Sequence, residues 1–291
     1  MAEEKPKEDE KKEAEAKAKA AEAAQAAKPA EKPAEKPTEA KKEEPKAAEA
    51  KKEEPAAKPA EKPAEKPAEK PAVAAAKPGE EKKPKKKAGL AYPNNMGRII
   101  LLALEEVMGK NGLNAILNLA GMSHHIDNYP PNNIKREFDF TDITGLCEAI
   151  EDMYGPRGGR GLLLRAGRAT FAHGLKDYGA IAGASDLAFK VLPLQAKLRI
   201  GVPAIAKVFS GVSDQKQVVE EKEDHFRYII SVCSMCWERK SDKEICYIAT
   251  GILQEALRWV SGGHEFRVSE VECKAKGDEN CVYIIQKEPI G

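Results

Sequence analysis

Aromatic residues make up only 5% of this 291-residue chain, and residues 1–88 contain none of them and no cysteine. Val73 is the sole β-branched aliphatic side chain in that stretch, which instead carries 24 Lys, 21 acidic residues and 12 of the 19 prolines. Such a segment has too little apolar surface to offset the entropy of ordering it, so a disordered tail over 1–88 is expected and a single globule of the whole chain is excluded. An excess of one charge is also missing. With 48 basic and 47 acidic residues the net charge is +1, and bulk charge gives no argument for nucleic acid. No run of about 18 apolar residues occurs, which argues against a membrane-spanning helix. The opening Met1-Ala2-Glu3-Glu4-Lys5-Pro6 lacks the apolar stretch of a secretory signal. A cytoplasmic, reducing location is therefore expected, where spaced cysteines point to metal or redox chemistry more often than to disulfides.

Within the tail, Glu13–Lys17 and Glu15–Lys19 are helix-supporting pairs, but no apolar stripe accompanies them. Glu-Lys-Pro-Ala then recurs around Pro33, Pro63, Pro67 and Pro71, and proline at every fourth position favours an extended, solvated spacer. Lys82, Lys83, Lys85, Lys86 and Lys87 form a cluster suited to a weak electrostatic tether on anionic lipid or nucleic acid. No aromatic residue is interleaved there for base stacking.

Residues 89–291 hold all six cysteines and both tryptophans and have room for one domain with a real core. Apolar spacing predicts helices over 98–109, stopped by Gly109 and Asn111-Gly112, and over 113–120. Residues 128–133 read as a loop. Another helix is expected to start near Phe140, with Thr141 or Asp142 as cap, and to run to Gly155. Gly155-Pro156-Arg157-Gly158-Gly159-Arg160-Gly161 reads as a turn; it lacks the Gly-Lys-Ser/Thr ending of a phosphate loop. Helix is expected again over 162–175, with Gly167 and Gly174 permitting close approach of a neighbour, and over 179–209 with interruptions at Pro193 and Pro203. After Val212 the character changes to a strand over 225–233, a helix over 246–260, and strands over 265–273 and 281–286 joined by a turn at 276–280. Helices first, then a mainly antiparallel sheet with one packed helix, is an α+β fold.

Cys273 and Cys281 flank the expected hairpin turn, and Cys246 stands at a helix start, where the macrodipole favours thiolate. Glu270 precedes Cys273 by three residues, and Cys233-Ser234-Met235-Cys236 is a pair with two residues between its thiols. These are soft donors at spacings that Zn²⁺ tolerates. The Cys233/Cys236 pair stays open between metal binding and redox chemistry, whereas Cys147 reads as a small buried apolar residue.

The stretch Cys246-Tyr-Ile-Ala-Thr-Gly251, then Gly262-Gly263, then Glu270-Val-Glu-Cys273-Lys-Ala-Lys-Gly277-Asp278-Glu-Asn-Cys281 resembles the 4-vinyl-reductase domain. Arg98, the run from Tyr154 to Gly161 and Arg165-Ala-Gly167-Arg-Ala extend the resemblance upstream, to about residues 93–288. It implies a fold shared with vesicle-transport-particle subunits and distant from haem NO-binding domains, a homodimer, and an apolar pocket. It also implies a zinc held by Cys246, Glu270, Cys273 and Cys281, inside a metal-binding subregion over 225–288. The interval from Cys246 to Glu270 is one residue longer than in aromatic-sensing activators, at the doubled Gly262-Gly263, and with Cys233 and Cys236 present the alternative ligand set is Cys233, Cys236, Cys273 and Cys281. Val268 stands where phenol sensors tend to have an aromatic pocket residue, which turns against phenol as ligand. No ATPase or helix-turn-helix region follows, unlike a complete activator.

Three functions compete. A binding module, sensor or carrier, would use a closed structural zinc and an apolar pocket for a hydrophobic, aromatic or tetrapyrrole-like compound, with Phe171, His173, His225, Tyr228 and Trp237 as candidate pocket residues. An adaptor would assemble through the same fold, and the long tail suits a scaffold. A zinc hydrolase or redox enzyme is the weakest reading: His124 and His125 are adjacent and so point apart, and no nicotinamide or nucleotide fingerprint exists.

Overall fold

A computed structural model describes residues 86–178, 189 and 191–290; the tail expected over 1–88 lies almost wholly outside the described residues, as does the segment 179–188. The described chain is α+β. Strand β1 (Ala91–Pro93) leads into helix α1 (Asn94–Leu119), β2 (Arg136–Asp139), α2 (Phe140–Tyr178), α3 (Leu194–Val212), β3 (Gln217–Glu221), β4 (His225–Ile230), α4 (Tyr247–Ser261), β5 (Phe266–Glu272) and β6 (Cys281–Pro289). The strands β3-β4-β6-β5 form an antiparallel sheet in that order, and β1 and β2 form a separate antiparallel pair.

Glycine and proline act where their backbones require it, with some departures from expectation. Gly109 takes a positive φ of 77° and breaks α1, as its sequence position predicts, but Asn111 and Gly112 are helical and the chain continues to Leu119. The stretch 155–161 is not a turn. Only Gly155 leaves helical geometry (φ 70°), and Pro156 then begins a fresh helix, where a missing N–H costs nothing. Pro203 does not interrupt α3; it sits on the exposed face, where water serves the carbonyl it frees. Pro193 does precede the helix, as its N-cap.

The cap of α2 is Asp139 rather than Thr141 or Asp142. Its carboxylate accepts from the Thr141 N–H (2.9 Å) and hydroxyl (2.8 Å), while its own N–H donates to Asp142 Oδ2 (3.1 Å). The same carboxylate accepts from the Ala88 and Gly89 N–H groups, tying the start of the domain to the start of α2.

One core runs from α1 and α2 through α4 to the inward residues of β4, β5 and β6. Helix α4 packs against α2, α3 and β5. The α2–α4 crossing depends on two glycines. A Cβ on Gly167 would lie 2.2 Å from the Ile248 carbonyl oxygen, and one on Gly251 2.2 Å from that of Leu164. Gly174 is not such a position, because nothing lies within 4 Å of its would-be Cβ. No helix among the described residues is long and apolar enough to cross a membrane.

Candidate metal centre

Five of the six cysteines meet where α4 begins and the β5–β6 hairpin closes. Cys246 is the N-cap of α4, as its sequence position suggests. Cys281 opens β6, paired with Ile230 at the end of β4, and Cys273 follows β5. Glu270 and Cys273 are three residues apart, a separation that puts side chains on opposite faces of a regular strand. A β-bulge resolves this. Glu270 pairs with Tyr283 and Glu272 with Val282, so the bulged strand spends one extra residue and turns Cys273 toward the side Glu270 faces.

The loop after β4 brings the other pair. Ser234 is held at both ends, by the Thr144 hydroxyl on its carbonyl (2.6 Å) and by the Tyr92 hydroxyl on its Oγ (3.0 Å). Arg239 is nearly buried and pairs with Glu151 at 2.6 Å, and the Ser241 N–H donates to the Ala275 carbonyl. These contacts fix Cys233 and Cys236 between α2 and the hairpin.

The sulfur spacings are informative. Cys236–Cys281 is 3.4 Å, Cys233–Cys246 3.6 Å, Cys246–Cys273 3.8 Å and Cys246–Cys281 3.9 Å. None is a disulfide. Four thiolates at about 2.3 Å from a tetrahedral zinc stand about 3.8 Å apart, and each of these separations is near that length. Two donor sets result: Cys233, Cys236, Cys246 and Cys281, and Cys246, Glu270, Cys273 and Cys281, each with its ligand atoms within 4.8 Å of one another. The second is the set that the resemblance implies; in the first, Cys233 and Cys236 stand with Cys246 and Cys281, so Cys246 takes the place that the alternative set gave to Cys273. Glu270 Oε2 accepts from the Cys246 N–H at 2.9 Å, but its Oε1 is buried without a hydrogen-bond partner. Burial, with Cys273 beside it, pushes the Glu270 carboxyl up to about 9, and burial raises the Cys246 thiol well above its ordinary value. A buried cation is what such a group of acids lacks. The donor set, the spacing and the orphaned oxygen all fit a divalent metal. Tyr283, fully buried, presents an unpartnered hydroxyl whose strongest charged neighbours are Cys246 and Glu270.

Cys147 lies apart from this group, in α2, with burial raising its thiol to about 12. The five candidate pocket residues are dispersed. Phe171 packs on Trp259 (ring centroids 6.2 Å), His173 pairs with Glu106 (2.8 Å), and His225 pairs with Asp224 (2.7 Å). Trp237 meets Phe140 edge-on, and its indole N–H has no partner. Of the five, Tyr228 lines an apolar cavity, one of about 20 Å³ between the sheet, α3 and α4, walled by Phe209, Ile230, Met235, Ile252 and Leu253. Gln215 and Gln217, which sequence reading missed, supply its polar edge. The Tyr228 hydroxyl donates to Gln217 Oε1, Gln217 Nε2 donates to Gln215 Oε1 (2.7 Å), and buried Gln215 Nε2 has no partner.

His124 and His125 lie on a single 3₁₀ turn and do not point apart as expected: their rings are 4.1 Å apart between centroids, tilted by 45°, beside an open cleft of about 440 Å³ that also holds Asp142 and Glu148. Burial lowers the His125 pKa and raises that of Asp142. No cysteine lines that cleft.

No protein-family profile matches the chain, and a search of curated proteins finds no relative. Among solved structures, an H-NOX protein from S. oneidensis in the Fe(II)NO ligation state is similar at 14% identity, covering 67% of this chain and 99% of that one, with a TM-score of 0.43. The phenol-responsive sensory domain of the transcription activator PoxR, with phenol, is similar at 17% identity over 52% of this chain and 77% of that one (TM-score 0.39). A vinyl-4-reductase family protein from Methanocaldococcus jannaschii matches at 18% identity over 40% and 77% (TM-score 0.27).

Proposed function

We propose that residues 89–291 form a zinc-stabilised small-molecule-binding module, a sensor or carrier of the 4-vinyl-reductase type, working as a homodimer. The observation that carries the metal half is the buried thiol group, with sulfurs 3.4–3.9 Å apart and Glu270 Oε1 unpartnered beside them. Protein donors saturate the coordination of such an ion, so it stabilises the fold instead of activating water.

Support for the ligand half is the cavity at Tyr228. Its walls are apolar, and Gln215 Nε2 is a buried donor without an acceptor, which suits a small apolar molecule carrying one oxygen. Its volume of about 20 Å³ is one water's room, so a larger aromatic requires α3 and α4 to part. A tetrapyrrole fits this cavity least.

Native mass spectrometry of the full chain purified from its own cells tests both halves. Zinc and a retained apolar mass on a dimer are the expected result. A metal-free chain under reducing, zinc-replete conditions would overturn the metal assignment. A zinc-loaded chain that never retains a small molecule but captures a stable protein partner would favour the adaptor reading.

A further inference from the structure

The two donor sets share an edge. Cys246 and Cys281 belong to both, and their sulfurs are 3.9 Å apart, close to the roughly 3.8 Å edge of a thiolate tetrahedron around zinc. One four-coordinate ion uses four of the six donors and leaves two buried acids idle. Filling the first set strands Cys273 and Glu270, whose Oε1 already lacks a partner; filling the second strands Cys233 and Cys236. The first choice leaves a buried carboxyl oxygen without a partner, which is costly; the second leaves two soft donors unused beside the shared edge.

We infer that the site holds two divalent metal ions bridged by the thiolates of Cys246 and Cys281. Cys233 and Cys236 are terminal ligands of one ion, and Glu270 and Cys273 are terminal ligands of the other. Each ion then has four protein ligands and neither needs water. The inference rests on the metal-binding reading above and extends it by one ion.

Charge supports the count. Two divalent ions against five thiolates and one carboxylate leave −2, the same as one divalent ion against four thiolates. The second ion therefore employs two more acids without adding net charge to the interior. Five thiols give up five protons on loading, and Glu270 a sixth where it starts protonated. The bridging position of Cys281 is further served by the Lys274 N–H, which points at its sulfur from 3.5 Å.

The deciding experiment titrates the reduced, metal-free full chain with Zn²⁺, removes loosely held ions with a weak chelator, and counts zinc by native mass spectrometry. X-ray absorption at the zinc edge follows. Two zinc ions per chain are expected, with a metal–metal scattering shell at about 2.7–3 Å: ideal edge-sharing tetrahedra with bonds of about 2.3 Å give about 2.7 Å, and drawing the shared sulfurs in to about 3.5 Å gives about 3 Å. The paired variants C233S/C236S and E270Q/C273S should each retain one ion and lose that shell. One ion in the wild-type chain overturns the inference and leaves the single-zinc reading standing. No ion overturns both. Two ions without the metal–metal shell overturn the bridging. The wild-type count and scattering decide the matter even if the variants fail to fold.

Discussion

The α2–α4 crossing offers the sharpest test of the packing. Gly251→Ala would put a Cβ 2.2 Å from the Leu164 carbonyl oxygen and 3.0 Å from the Gly167 Cα, both backbone atoms that no rotamer change can move aside. Carbon–oxygen contacts between packed helices settle at about 3.3–3.6 Å, so the helices must open by about 1 Å. Overpacking of this kind costs about 1–3 kcal/mol or more, and a gap of that size also forfeits part of the dispersion energy along the crossing. Alanine's better helix propensity returns about 1 kcal/mol. The net expectation is about 2 kcal/mol of destabilisation, or about 4–8 °C in melting temperature for a domain of this size. Gly174→Ala is the internal control. It gains the same propensity, meets nothing within 4 Å, and should raise stability by up to about 1 kcal/mol. Urea unfolding of both variants in a fixed excess of zinc separates them. Because Cys246 caps the helix that carries Gly251, the same variant should also bind zinc more weakly. If Gly251→Ala proves as stable as Gly174→Ala, the close crossing is not what holds these helices.

Other expectations follow from individual groups. Cys281→Ser should lose metal and unfold in the absence of a large zinc excess, whereas Cys147→Ala should keep the wild-type zinc count and cost about 1 kcal/mol; metal analysis alongside thermal melts checks both. Burial raises the Asp139 pKa, but hydrogen bonds from Thr141, Ala88 and Gly89 outweigh it and hold the carboxyl below its ordinary value. The stability this contributes is present above the unfolded pKa of about 3.9 and lost as pH falls through the lower folded value, so Asp139→Asn should flatten the acid limb of the stability–pH curve. Removing residues 1–85 should leave the melting temperature unchanged, while removing 1–89 deletes two donors to Asp139 and should cost about 2 kcal/mol. Gln215→Leu removes the unpartnered amide N–H but also the acceptor of the Gln217 amide, so stability should shift by no more than about 1 kcal/mol, while retention of any oxygen-bearing ligand in the native mass spectrum should be abolished.

Much of the fold is legible in local chemistry. The apolar spacing of Ile248, Ile252, Ala256 and Val260 and the doubled Gly262-Gly263 mark α4 to within a residue, and the cap at Cys246 follows from them. The hairpin between Cys273 and Cys281 is likewise written in its turn residues, with Gly277 at φ 101°. Strand β3 was not legible, because Gln217–Glu221 offers two valines among polar and charged neighbours and becomes a strand only by pairing with β4. Strand β1, three residues ending in proline, exists only through β2. Pro156 and Pro203 mislead for a common reason. Proline breaks a helix only where the lost N–H and the freed carbonyl have no other provision.

By itself, then, the sequence determined the α+β class, the ends of α4 and the β5–β6 hairpin, and the soft-donor chemistry of its cysteines. Those properties depend on contacts between near neighbours in the chain. Only the tertiary structure decided that Cys233 and Cys236 join Cys246, Cys273 and Cys281 in one group, that a bulge brings Glu270 to the same side, and that Gln215 faces an apolar cavity with an idle donor. Each of these joins elements far apart in the chain, and the long-range packing that sets them is encoded in no single stretch of residues.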